Sequence, residues 1–212
     1  MEHSEKIFSE FMEKHPGLAE CFADIRGAYE FISACYSNGG KLLVCGNGGS
    51  AADSLHIVGE LMKGFNLRRE LPEKAKKPFD KIEGGRYIAD SLQGALPAIS
   101  LVSEASLISA FANDVNPSLI FAQQVYGYAK KPHDVLLALS TSGNAPNVIN
   151  AAKTARAVGI KTVSITGEIG GVLEKYSDVC VKVPAAATYE AQELTLPVYH
   201  VLCAMVEAHF YS

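Results

Sequence analysis

The sequence predicts an α/β fold, a three-layer sandwich on a mostly parallel sheet with additional helices at the N-terminus. Short apolar runs of strand length alternate with helix-length segments from residue 41 onward. Strands separated by helices need crossover connections, which make neighbouring strands parallel and bury both faces of the sheet. The length, 212 residues, suits one sizeable core, so 1–212 is read as a single domain.

Apolar residues recur at helical spacing in 7–11 and again at Leu18, Cys21, Ile25, Tyr29, Ile32 and Cys35, predicting two helices within 1–38. His15-Pro16 separates them, because the residue before a proline resists the helical conformation. Asn38-Gly39-Gly40 ends the second helix with residues suited to positive φ. KLLVCG then reads as a short buried strand. Further strands are expected at 97–101, 134–140, 161–166 and 179–183, and helices at 104–111, 119–129, 146–157 and 187–210. Pro197 removes one N–H from the last helix and predicts a kink there. The stretch 63–96 breaks the rhythm. It is charged, holds two prolines and a Gly-Gly, and reads as a long surface loop, lid or interface arm.

Composition narrows the function classes. Hydrophobic residues make up 48% and charged residues 20%, and the longest apolar runs fall far short of a membrane span. The charged N-terminus lacks a signal-peptide core, so a cytoplasmic protein is expected, with no membrane partner. A net charge of −4 gives no reason to expect nucleic acid as a partner. Cys21, Cys35, Cys45, Cys180 and Cys203 are scattered without a CxxC pair, which reads as reduced, mostly buried thiols. His15, His133 and His209 lie in polar or terminal settings and are expected at the surface.

Two loops have the chemistry to hold a phosphate. CGNGGS follows the first strand; it is neither GxGxxG nor a P-loop, but Gly48 and Gly49 let backbone N–H groups approach an anion at the start of a helix near Ser50. SerThrSerGlyAsn, 140 to 144, follows another strand and offers three consecutive hydroxyls. A tight turn capped by Ser50, and another capped by Ser142 or Asn144, are the structural alternatives. Two such loops at the ends of different parallel strands suit a phosphomonoester.

His56 and Glu60 stand four apart, on one face of the helix that the first loop opens. They lie roughly 10 Å along its axis, within reach of the far end of a phosphate-anchored substrate. A surface His–Glu pair is the alternative. Near the C-terminus, AQELTLPVYH places Gln192, Glu193 and His200 in an apolar stretch, where polar groups need partners or a site.

CGNGGSAADSLHIVGEL, FANDVN at 111 to 116, STSGN at 140 to 144 and QELTLPVYH at 192 to 200 resemble the sedoheptulose-7-phosphate isomerase (phosphoheptose isomerase) group of the SIS, or sugar isomerase, domain family. The likeness covers nearly the whole chain outside 63–96. It implies a five-stranded, flavodoxin-like parallel sheet and a homotetramer with sites at subunit interfaces. It also implies interconversion of sedoheptulose 7-phosphate and a heptose 7-phosphate through an enediol, for heptose synthesis toward lipopolysaccharide. By resemblance Glu60 and His200 are the acid and base. Ser50, Ser140, Thr141 and Ser142 hold the phosphate, Asn47 and Asp114 bind sugar hydroxyls, and Gly48, Gly49, Asn113, Asn144 and Gln192 complete the substrate set. Some members bind zinc through residues matching His56, Glu60, Gln192 and His200, so one Zn2+ per subunit is an expectation of the resemblance, with no nucleotide cofactor. For the base, burial of the carboxylate is expected to raise its pKa toward neutrality.

Three features depart from the family pattern. Thr195 stands where a further histidine is usual, Ala145 where serine is common, and 63–96 is longer than the corresponding loop. In that segment Lys63, Arg68, Arg69 and Arg86 are candidate cations for a substrate, with a solvated face as the alternative. A non-catalytic phosphosugar sensor or protein-binding SIS protein, and an isomerase of another phosphosugar, are the competing readings.

Overall fold

The computed structural model describes residues 2–130 and 132–212. The chain opens with α1 (Glu2–Lys14), a 3-10 turn at Pro16–Cys21 and α2 (Phe22–Ser37). Strand β1 (Leu42–Cys45) leads into α3 (Gly49–Met62), and β2 (Ala98–Ser100) comes only after the long arm. Helices α6 (Ala105–Asp114) and α7 (Ile120–Tyr128) precede β3 (Val135–Leu139). Then α8 (Pro146–Ala157), β4 (Lys161–Thr166), β5 (Val179–Lys182) and α9 (Thr188–Tyr211) complete the domain. The expected strands and helices are all present, with ends moved by at most a few residues. Helix α9 continues through Pro197 without a break in its assignment.

The five strands form one parallel sheet in the order β2-β1-β3-β4-β5. Side chains alternate across it. Leu42, Val44, Val135, Leu137 and Leu139 enter one core, with α1, α2, α3 and α9. Leu43, Cys45, Leu136 and Ala138 enter the other, with α7 and α8. This is the period-2 alternation of a sheet buried on both faces. The thiols follow from it: Cys21, Cys35, Cys45 and Cys203 are buried and free, while Cys180 is half-buried. Burial pushes the Cys21 thiol up to about 11 and those of Cys35, Cys45 and Cys203 up to about 12, so they stay protonated at neutral pH. His209, expected at the surface, is half-buried, and its Nδ1 lies 2.8 Å from the Tyr29 hydroxyl; the cause is the packing of α9 against α2.

Chain order locates the ligand site. From β1 the chain adds β2 on one side, and β3, β4 and β5 follow on the other. The switch point therefore lies between β1 and β3, where open parallel sheets bind ligands beyond the carboxyl ends of their strands. The loops after those two strands are 46–50 and 140–145, the two glycine- and hydroxyl-rich loops.

Segment 63–96 is a folded arm. It contains the short helices α4 (Glu73–Lys76) and α5 (Gly85–Ser91) with a 3-10 turn at Lys77–Lys81 between them. An isolated antiparallel bridge, Glu70 to Gln93, closes its base. Arg86 and Lys76 pair with Glu73 and Asp90 on its surface, and Arg68 pairs with Glu70, exposed contacts of little energetic weight. Arg69 is different. Its guanidinium is fully buried and meets the buried carboxylate of Glu207 at 2.8 Å. Glu207 also accepts hydrogen bonds from the backbone N–H groups of Phe65, Asn66 and Leu67. Arg69 in turn donates to the carbonyls of Leu61 and Glu60, at the end of α3. The sequence reading of Arg69 as a solvent- or substrate-facing cation is thus corrected: it ties the arm to the core.

Removing one charge from this pair leaves the other buried and uncompensated, so Glu207→Gln is expected to cost about 3–5 kcal/mol of folding stability. Urea unfolding of the variant against the parent chain measures it.

Candidate active site

The first loop turns at Gly48, which adopts φ +54° and ψ −121°, a conformation that strongly favours glycine. Gly48 is also the N-cap of α3, so the alternative of a turn capped by Ser50 does not hold, and the buried Ser50 sits inside the first turn of the helix. In the second loop Gly143 has φ +63°, and a Cβ there would collide with the carbonyl of Gly170. Neither Ser142 nor Asn144 caps α8, whose N-cap is Ala145. Asn144 instead accepts from the backbone N–H of Val172 and donates to the carbonyl of Ser142, bracing the loop against the turn after β4.

Between the loops lies a cavity of about 270 Å³. Asn47, Gly48, Gly49 and Ser50 line one side, Ser140, Thr141, Ser142 and Ala145 the other, and Thr188 and Gln192 of α9 close it. Gln192 packs tightly on the first loop; a Cβ at Gly49 would lie 2.6 Å from its Nε2. Among the described residues the lining carries no lysine or arginine, so an anion here would be held by hydroxyls, amides and the positive end of α3. Asn47 exchanges two hydrogen bonds with Asn147, at 2.8 and 2.9 Å, joining the first loop to the start of α8. Sequence reasoning missed Asn147, although its place beside Pro146 at the head of a predicted helix was a visible signal.

A second cluster lies farther along α3 and α9. His56 Nε2 is 3.0 Å from Glu60 Oε1, and Lys63 Nζ is 3.1 Å from Glu60 Oε2. The His200 ring stands 5.0 Å from that of His56, nearly perpendicular to it, and 5.7 Å from Phe65. Nε2 of His200 is buried, with no hydrogen-bond partner among the described residues. Burial, reinforced by His56, lowers the His200 pKa and favours its neutral form. For Glu60, burial pulls the pKa upward, but Lys63 and His56 together outweigh it and leave it below the usual carboxylate value. The expected raised carboxylate is therefore corrected: in this chain its nearest partners are cationic or proton-donating.

The structure brings His56, Glu60 and His200 together, and separately gathers Asn47, Gly48, Gly49, Ser50, Ser140, Thr141, Ser142 and Gln192 around the cavity. It does not bring Asn113 and Asp114 to that cavity; they lie at the exposed end of α6, where Asn113 donates to Asp114 at 2.8 Å. Thr195 is buried, and its hydroxyl bonds its own helix at the Ala191 carbonyl. Gln192 and His200 are eight residues apart on α9, about 12 Å at the helical rise per residue.

The profile of the SIS domain family matches residues 9–81 and 84–167. The chain belongs to this family, in its phosphoheptose isomerase group. It is 35% identical to the phosphoheptose isomerase of Rhodospirillum rubrum over 90% of this chain and 88% of that protein. It is 38% identical to a probable phosphoheptose isomerase of Thermoplasma acidophilum, over 88% of each. The solved phosphoheptose isomerase of Francisella tularensis superposes with a TM-score of 0.74 at 28% identity, covering 96% of this chain and 97% of that one.

Because Lys63 lowers the Glu60 pKa, Lys63→Met is expected to raise it. With Glu60 as the base proposed below, the acidic limb of kcat/KM then moves to higher pH, and a pH–rate profile of the variant reads that displacement directly.

Proposed function

We propose that this chain, a sugar-phosphate isomerase by its family, interconverts sedoheptulose 7-phosphate and D-glycero-D-manno-heptose 7-phosphate. The observation that carries this reading is the spacing of the two clusters. A phosphate-sized cavity with neutral donors lies about 12 Å along α9 from the His200 end, where the proton-transfer groups gather. In a 7-phosphate the reacting C1 and C2 are at the opposite end of the sugar from the anchor, as this spacing requires.

In the proposed mechanism the ionised Glu60 takes the proton from the carbon beside the carbonyl, giving an enediol, and returns it to the neighbouring carbon. The neutral His200 imidazole moves a proton between O1 and O2, using the Nε2 that has no partner among the described residues. The set expected for zinc is not arranged as a metal centre. Among the described residues no three His, Cys, Asp or Glu side chains are placed to share a metal ion: His56 and Glu60 bond each other, and Gln192 is turned onto Gly49.

A homotetramer with sites completed at subunit interfaces is part of the same proposal. Its support is an open groove of about 660 Å³ between α1 and α9, lined by Ile7, Phe11, Phe65, Leu194 and Val201, with His200 at its wall. Among the described residues no helix is long and apolar enough to cross a membrane.

Glu60→Gln is expected to lower turnover by about 10²–10⁴-fold while the variant still binds the phosphosugar. Incubating the parent chain with sedoheptulose 7-phosphate in deuterated water should give product carrying solvent deuterium. Full activity in the variant removes Glu60 from the mechanism; binding without exchange in the parent chain indicates a sensor. Light scattering in solution should return the mass of four chains, and a monomer would remove the interface reading.

A further inference from the structure

The cavity between the two loops is short of donors on one side. With no lysine or arginine among the described residues of its lining, each hydroxyl there counts. Ser50 and Ser140 line it at 5% and 7% exposure, and neither hydroxyl has a hydrogen-bond partner among the described residues. The head of α8 contributes less. Its N-cap is Ala145, whose side chain has no polar atom, and Pro146 at its first position carries no N–H.

Thr188 meets the same cavity from α9. It is the first residue of that helix, and Gln192, which packs on Gly49, follows it by one turn on the same helical face. This position leaves its hydroxyl free. A threonine farther inside a helix can donate to the carbonyl four residues back, as Thr195 does to Ala191. For Thr188 that residue is Pro184, before the helix begins, and the hydroxyl has no partner among the described residues. The N-cap, Ala187, brings no side-chain cap to the first turn of α9 either.

We propose that Thr188 is a phosphate-binding residue of this enzyme: its hydroxyl supplies, from α9, the donor that Ala145 and Pro146 leave missing at the head of α8. The proposal rests on the reading of the cavity as the anchor for the substrate's phosphate. A hydroxyl rotates to donate to the nearest oxygen, and a hydrogen bond to a charged oxygen is stronger than one between neutral groups. The phosphate is remote from the reacting carbons and keeps its charge throughout, so the bond is made equally in the ground state and the transition state. Its loss therefore weakens binding without slowing the chemical step.

The test uses the full chain and two probes, inorganic phosphate followed by phosphorus NMR titration and sedoheptulose 7-phosphate in steady-state kinetics. Thr188→Val, which keeps the shape and removes the hydroxyl, should weaken phosphate binding about tenfold. It should raise KM by a similar factor, with kcat unchanged within about twofold. Thr188→Ser, which keeps the hydroxyl, should behave as the parent chain. Adding Ala145→Ser to Thr188→Val should recover most of the lost affinity, because a hydroxyl returns from the α8 side. Phosphate affinity unaltered in Thr188→Val, or an equal loss in Thr188→Val and Thr188→Ser, overturns the proposal. So does a double variant that binds no tighter than Thr188→Val. A parent chain that binds phosphate without turning over the heptulose phosphate fails the isomerase reading alone, and the titrations still decide Thr188. A parent chain that binds neither probe removes the cavity as phosphate anchor, and Thr188 with it.

Discussion

The buried Arg69–Glu207 pair is the constraint on which the site depends. Isolated charges are expensive to bury, and such a pair is tolerated only when further hydrogen bonds engage its remaining atoms. Here the carboxylate takes three backbone N–H groups besides the guanidinium, and the guanidinium closes two carbonyls at the end of α3 and lies 4.9 Å over the Tyr211 ring. One interaction thus joins α9, the end of α3 and the root of the arm. Glu60 is itself one of the capped residues, so the pair sets where the helix bearing the proposed base stops. Its value is positional: it fixes which segments meet, whatever its net contribution to stability.

Around that fixed point the sheet does the rest. The reversal of strand order at the β1/β3 switch point brings together two loops that are almost a hundred residues apart in the chain. Each loop reaches its shape through a glycine at positive φ, and each is braced from outside, by Gln192 and Asn147 for the first and by the turn after β4 for the second. Helix α9 passes both the cavity and the cluster of His56 and Glu60, which is why one helix carries Gln192 and His200.

Much of this was legible from residues alone. Alternating strands and helices identified the sheet, and the boundaries of 146–157 and 161–166 agree with α8 and β4. The hydroxyl loop and the i, i+4 pair of His56 and Glu60 could be read because each is local. What escaped was long-range. Arg69 looked like one more surface cation in a charged stretch, because its partner lies 138 residues away. The Tyr199 hydroxyl meets His56 across 143 residues, and no local pattern marks a buried tyrosine as a hydrogen-bond partner. The lowered pKa of Glu60 was within reach: Lys63 stands three residues on, at the spacing of a helical neighbour, and its charge outweighs burial.

On the proposed reading, the separation of the cavity between the two loops from the cluster of His56, Glu60 and His200 also acts as a ruler. A phosphate ester held between the two loops presents at His56, Glu60 and His200 whatever carbon its own length allows. A short sugar phosphate anchored there leaves its carbonyl short of the cluster, in a stretch of α9 that holds Thr195 with its hydroxyl already bonded to the helix. On that reading, chain length is selected by the rigidity of a single helix.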